Sequence, residues 1–265
     1  MAAQRELDLA CIKGTGPGGL IVKADLPAET ENGAPFPQSP AEANDGDTIM
    51  PFAGIRKTIA DNLMLSKRSA ADVTTVADVC MDQVKEFRSI LPVSYTTFVV
   101  LAASRALAEY PMLNALVEEK RIIMKKDVNI NVAVATASGL MTPVISNASR
   151  KNLLTMAQEL ADLSERGRAG RLTVEDFAGG TFTVTNSGVF GSVLFTPIIN
   201  HPQSAVLGMG RIALTPVVRA GSVVPALMMY LSLTYNHRSV DGETGVTFLQ
   251  RVRHYLEHPL EMITV

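Results

Sequence analysis

Tryptophan is absent from this 265-residue chain, and phenylalanine and tyrosine bring the aromatic share to only 5%. Base-stacking platforms are built from aromatic rings, so they have little material here. An excess of basic charge is also missing. With 24 Lys+Arg against 26 Asp+Glu, a net charge of −2 sets up no field that would gather nucleic acid. The only cysteines, Cys11 and Cys80, are isolated and show neither Cys-x-x-Cys nor Cys/His ligand spacing. That argues against a disulfide scaffold or a structural zinc site, leaves no metal expected, and suits a reducing compartment. No apolar run approaches the ~20 residues of a membrane span. The N-terminal MAAQRELDLA has neither an apolar signal core nor the Arg/Ser-rich, acid-poor character of a transit peptide. The expectation is a cytoplasmic protein with no nucleic-acid and no membrane partner.

What is present divides into three regions. Residues 1–26 contain Gly14-Thr15-Gly16-Pro17-Gly18-Gly19, which formally matches the dinucleotide fingerprint G-x-G-x-x-G. The context fails: no convincing strand precedes it, no long helix follows, and Pro17 sits in the would-be phosphate loop. The residues support a glycine-rich turn between two short apolar pieces, Leu7/Leu9/Ile12 and Leu20/Ile21/Val22. Residues 27–48 are rich in Pro, Ala, Glu, Asn and Gly, and offer little apolar surface to offset the entropy of ordering, so they read as a flexible linker. Residues 49–265 are long enough to bury a sizeable core.

Within that body, apolar spacing near 3.6 predicts helices over 53–69, 84–91, 96–109 and 152–166, the last with Leu153, Met156, Leu160 and Leu163 on one face. Alternating or continuous apolar runs predict strands at 73–81, 128–136, 140–145, 181–187, 204–212 and 228–235, and Glu118 to Arg121 reads as a hairpin turn. Strands and helices intermingle without a strict βαβ rhythm. The expected fold class is therefore α/β, a mixed β-sheet covered by helices.

The stretch LSLTYNHRSVDGETG, residues 231–245, stands out. A buried strand runs into His237, and Asp241-Gly242 turns the chain into a helix through Val246, Leu249, Val252 and Leu256. Side chains at strand ends are where open α/β sheets place their chemistry. Two readings of this spacing stand side by side: a structural histidine followed by an N-capping aspartate, or a general base with its organising carboxylate.

Longer blocks carry a resemblance. Residues 49–265 resemble the catalytic domain of the dihydrolipoamide acyltransferases, the core components of 2-oxo acid dehydrogenase complexes. PFAGIRKTIADNLMLSK is similar to that family's opening helix, and SYTTFVVLAASRALAEYPMLNA to its L-T-x-x-x-F…A-L-x-x-x-P-x-x-N-A segment. ASGLMTPVI is similar to D-G-L-x-x-P-V-I, GGTFTVTNSGVFG to G-G-T-F-T-[IV]-[ST]-N-x-G-x-F-G, PIINHPQSAVLG to P-I-I-N-x-P-Q-x-A-I-L-G, and YNHRSVDG to [DN]-H-R-x-x-D-G. Asn236 takes the place of the aspartate more common before the histidine. The run IKGTGPGGLIVKAD resembles the second half of the family's peripheral-subunit-binding domain, so residues 1–26 are expected to be a truncated remnant of it.

The resemblance implies a chloramphenicol-acetyltransferase-like, coenzyme A-dependent acyltransferase fold. It also implies acyl transfer between coenzyme A and the dihydrolipoyl group of a lipoyl domain, which is expected on another chain or a removed segment. Such chemistry needs a thiolate, and a thiol of pKa near 8.5 is mostly protonated at neutral pH. A histidine can take that proton, a role worth about 10²–10⁴-fold. The oxyanion formed on the thioester needs a placed donor. By resemblance His237 is the base, Thr185 the donor, and Asp241 the organiser of the loop. Taken alone, Thr185 also reads as an ordinary β-branched strand residue beside its like-facing neighbour Thr183. In the family the histidine and the hydroxyl come from adjacent subunits of a trimer. The implied partners are therefore further copies of the chain (a homotrimer, then a larger cubic or icosahedral core), lipoyl domains, and the decarboxylase and dihydrolipoamide dehydrogenase components; in a eukaryote the location would be the mitochondrial matrix. Gly139 to Pro143 is expected to line the substrate channel, and Arg238 to be a structural ion-pair partner. Rival readings are a non-catalytic core or tethering subunit, and a free-standing enzyme of the chloramphenicol-acetyltransferase type; acyl specificity among acetyl, succinyl and branched-chain groups stays open.

Overall fold

Apolar periodicity places most of the elements found in the structure, a computed structural model that describes residues 15–16, 44–91, 93–136 and 139–263, with Ile55 by its backbone only. The expected subunit-binding remnant and most of the expected linker lie outside the described residues. The chain falls into two units, Met1–Pro51 and Phe52–Val265, and the second carries the elements described here. In chain order it begins with α1 (Gly54–Ser69), β1 (Asp72–Cys80), α2 (Asp82–Ile90), α3 (Tyr95–Glu109), β2 (Ala115–Val117), β3 (Ile122–Met124), β4 (Ile130–Val132), β5 (Val134–Thr136), β6 (Gly139–Met141) and β7 (Val144–Ile145). It continues with α4 (Leu153–Arg168), β8 (Phe182–Asn186), β9 (Ala205–Met209), β10 (Ala213–Arg219), β11 (Ser222–Asn236), α5 (Gly242–Glu257) and α6 (Pro259–Ile263).

The main sheet runs β1-β11-β9-β8-β4-β7, with β10 also paired to β11. β4–β8 and β8–β9 are parallel and the other pairs antiparallel, which makes the sheet mixed, as expected. One face carries Leu231, Leu233 and Tyr235 of β11 and Phe182 and Val184 of β8, all buried. Helix α5 packs there against β1, β11 and α3, bringing the Phe182 and Phe248 rings to 5.9 Å. Caps fix the helix starts: Ser94 accepts from Thr97 N–H at 3.1 Å and Asn152 from Thr155 N–H at 2.9 Å.

The opposite face is buried yet polar. The Thr183 hydroxyl donates to Gln203 Oε1 (2.6 Å), Gln203 Nε2 to Asn131 Oδ1 (2.7 Å), and Asn131 Nδ2 to the Thr142 carbonyl (2.9 Å). Leaving one such buried group unpaired would cost about 1–3 kcal/mol, so the network fixes which residues can share this face.

The structure differs from the expected elements in several places; among them, the piece expected over 140–145 is split into β6 and β7, and the strand expected from 228 begins at Ser222. The single strand expected over 128–136 is two, because at Ala133 the chain leaves the sheet after its N–H bonds the Val184 carbonyl (3.0 Å), and β5 turns away to pair with β6. The strand expected over 204–212 ends at Met209, and β10 begins at Ala213. β10 itself was not legible, since Leu214, Pro216 and Val218 share one face of an edge ribbon and stay exposed, giving no core-facing alternation.

Candidate active site

β11 ends at Asn236, and the chain there is held from several sides. Asn236 N–H donates to the Ser204 carbonyl (2.9 Å), and its side-chain oxygen accepts from the N–H groups of Ala71 (3.2 Å) and Arg238 (3.1 Å). His237 N–H donates to the Ala71 carbonyl at 2.8 Å. Val240 N–H and both Ser239 donors, backbone and hydroxyl, return to the Asn236 carbonyl. Beyond this tight turn the imidazole of His237 is exposed, 5.9 Å from the Tyr235 ring. An amide oxygen at 236 accepts the two N–H groups as a carboxylate would, so asparagine holds this turn without a charge.

Asp241 caps α5, its carboxylate accepting from Thr244 N–H at 2.7 Å. The Thr244 N–H and hydroxyl hold this carboxyl below the usual aspartate range, with a smaller pull from His237. The cap and the organising role expected of Asp241 are thus one arrangement. Helix α5 lies so close to the strand that a Cβ at Gly245 would stand 2.6 Å from the Tyr235 ring. Arg238 departs from expectation: its guanidinium donates to the Ser69 carbonyl (2.8 Å) and, among the described residues, meets no carboxylate.

Thr185 lies at the end of β8, half-buried, on the same face as Thr183. Its hydroxyl makes no hydrogen bond among the described residues. Asn186 ties the strand end to α3 through Nδ2 and the Thr96 hydroxyl (3.0 Å). Thr185 pairs with Gly208, above which Phe195 crosses: a Cβ at 208 would meet the ring at 2.8 Å. Beside Asn186 opens a cavity of about 630 Å³, lined by Ser94, Thr97, Leu140, Leu160, Val189 and Phe190 among others. Leu140 belongs to the Gly139 to Pro143 run expected to line a channel. Ser187, which sequence reasoning missed, has its hydroxyl oxygen buried without a partner among the described residues; no pattern in the sequence marks it.

His237 and Asp241 are brought together, and Thr185 is not. Thr185 is level with Gly208, and Gly208 with Ser232, whereas His237 lies five residues further on, just past the end of β11. Two strand spacings and five residues of rise separate the two positions by about 20 Å. Because β8 and β11 run in opposite directions, their C-terminal ends leave the sheet at opposite edges. Among the described residues no three His, Cys, Asp or Glu side chains gather as a metal site requires, and no single helix is long and apolar enough to cross a membrane.

A mixed sheet backed by helices is a fold this chain shares with chloramphenicol acetyltransferase. A solved structure of that protein matches with a TM-score of 0.52 at 14% identity over 74% of this chain and 94% of its own, a likeness of fold alone. The chain belongs to the 2-oxoacid dehydrogenases acyltransferase family, whose catalytic-domain model matches residues 44–264. An e3 binding domain model matches residues 1–26. The dihydrolipoyllysine-residue succinyltransferase component of the 2-oxoglutarate dehydrogenase complex of Escherichia coli K12 is 35% identical over 99% of this chain and 70% of its own length. A dihydrolipoamide acetyltransferase of Azotobacter vinelandii (28% identity, TM-score 0.80, 85% of this chain and 100% of that one) was solved to examine the catalytic roles of a serine, a histidine 52 residues later and an asparagine four residues after that. The cubic core of the pyruvate dehydrogenase multienzyme complex matches to the same degree. The chain is therefore an acyltransferase of the 2-oxo acid dehydrogenase complexes.

Proposed function

We propose that this chain moves an acyl group between a dihydrolipoyl arm and coenzyme A in a site completed by two copies, with His237 of one and Thr185 of the next. The reading rests above all on one observation: Thr185, His237 and Asp241 repeat the spacing of the serine, histidine and asparagine studied in the Azotobacter enzyme, while the first two leave one sheet at opposite edges. The imidazole takes the proton from the attacking thiol, and the thiolate adds to the thioester carbonyl. The resulting oxyanion accepts a hydrogen bond from the Thr185 hydroxyl, which has no other partner among the described residues. Collapse breaks the bond to the departing sulfur, which takes the proton back from the imidazolium. Asp241 holds the turn through its cap. The cavity beside Asn186 suits a slender thiol-bearing arm.

In this reading residues 49–265 are the catalytic domain, 27–48 a linker, and 1–26 a segment that contacts the dehydrogenase component. The assembly proposed is a homotrimer, each copy giving its histidine to one neighbour and its threonine to the other, with a cubic core like that of the pyruvate dehydrogenase complex as its extension. Relatives in Schizosaccharomyces pombe and Saccharomyces cerevisiae are mitochondrial, so in a eukaryote this reading puts the chain in the mitochondrial matrix, and in a bacterium in the cytoplasm.

Subunit complementation tests it. His237→Ala and Thr185→Ala chains, each nearly inactive alone, should regain transfer to free dihydrolipoamide when co-assembled, because one junction then holds both intact groups. No recovery in proven mixed assemblies would show that each site belongs to one chain.

A further inference from the structure

A second cavity, of about 680 Å³, lies between the last turn of α1, the β2–β3 turn, His201 and Arg238. It shares backbone with the catalytic turn: Ala71 lines it, and the Ala71 carbonyl holds the His237 N–H at 2.8 Å. Its charges are unevenly matched. Glu118 is taken by Arg121, with contacts of 2.6 and 3.3 Å, which leaves Glu119 as the one carboxylate of the lining without that engagement. Against it stand Arg68 and Arg238. The Arg68 guanidinium has no ion pair or hydrogen bond among the described residues, and that of Arg238 spends one N–H on the Ser69 carbonyl. His201 adds a ring whose Nδ1 sits 3.3 Å from the Ser69 hydroxyl. Two guanidinium groups with free donors and an imidazole line one cavity, and such donors suit an oxyanion with two or three acceptor oxygens.

We propose that this cavity binds an anionic group of the acyl-group donor, a carboxylate or a phosphate, and that Arg68 and Arg238 are its ligands. The identity of the donor rests on the function proposed above; the anion site does not. Two parts of such a donor carry the required charge: the free carboxylate of a dicarboxylic acyl group, and the phosphates of the coenzyme's nucleotide. Arg238 follows His237 directly, so an anion held there is fixed relative to the base, and binding energy gained at the cavity goes into aligning the thioester.

The test is titration calorimetry of the intact 265-residue chain at low ionic strength with two probes, sodium succinate for the carboxylate and adenosine 3′,5′-bisphosphate for the phosphates. At least one binds; Arg68→Gln weakens it about tenfold and Arg68→Lys only about two- to threefold, and added salt weakens the wild type further. Response of succinate alone assigns the acyl carboxylate, and response of the bisphosphate alone assigns the nucleotide. If both respond, the site stands, and the change in KM of Arg68→Gln for succinyl- against acetyl-coenzyme A says which group occupies it. Binding of neither probe, or equal binding by wild type and Arg68→Gln, overturns the proposal. Since His237→Ala leaves the cavity intact, it should bind the probes normally; Arg68-dependent binding in a wild-type chain that transfers no acyl group would sink the catalytic reading and spare the site.

Discussion

The two ends of the central sheet are finished in different ways. At the β11 end, backbone and side-chain bonds from Ala71, Ser204, Asn236 and Ser239 close the turn around His237, and Asp241 caps the next helix. At the β8 end, the Thr185 hydroxyl is unbonded among the described residues, the Ser187 oxygen is buried without a partner, and Val189 and Phe190 are 71% and 78% exposed. One end is complete within the chain, while the other holds polar and apolar groups that nothing among the described residues engages. A functional group can be aimed by its own subunit at the first end. At the second it waits for something outside.

The sharpest way to press that contrast is to remove each group in turn. His237→Ala should lower kcat by about 10³-fold with KM little changed, since proton transfer alone is lost. Thr185→Val should lower it by about 10²-fold and Thr185→Ser far less, because the hydroxyl and not the methyl does the work. Equal tolerance of Val and Ser at 185 would return that residue to ordinary strand packing. Stability should divide the two ends the other way. Gly245→Ala forces a methyl against the Tyr235 ring under the braced end, and an unfolding titration should register a loss of about 1–3 kcal/mol, whereas Thr185→Ser should leave the midpoint unmoved.

The smallest effect concerns pH. The Asp241 carboxyl is held below its ordinary range by Thr244, so its cap contributes above about pH 4, the usual aspartate value, and is lost as pH falls through the lowered one. Asn at 241 caps without titrating. Thermal midpoints from pH 6 downward should therefore fall less for Asp241→Asn than for wild type; parallel curves would mean that the cap carries no such linkage.

Much of this contrast is visible in the amino-acid order. The run into His237 reads as a strand end because Leu231, Leu233 and Tyr235 alternate with polar residues, and the Asp241-Gly242 pair announces the helix start. Apolar periodicity likewise placed α3 and α4 within a residue or two. The separation of Thr185 from His237 within one chain was implied by the family resemblance but not by the residue pattern, because it depends on which strands pair and in which direction, and β8, β9 and β11 meet through contacts remote in sequence. The bracing of the turn by Ala71 and Ser204 was hidden for the same reason. The guanidinium of Arg238 looked like half of an ion pair because a charged side chain suggests an opposite charge, yet a backbone carbonyl takes one of its donors.

The antiparallel relation of β8 and β11 has a consequence for populations of mixed chains. In a closed ring of three, each member lends its imidazole to one neighbour and its hydroxyl to the other. A single member carrying both lesions would thus silence two chambers of three, so an inactive allele would subtract more than its numerical share. Poisoning of that kind follows from the proposed two-chain site, and its absence in mixed assemblies would count against that site.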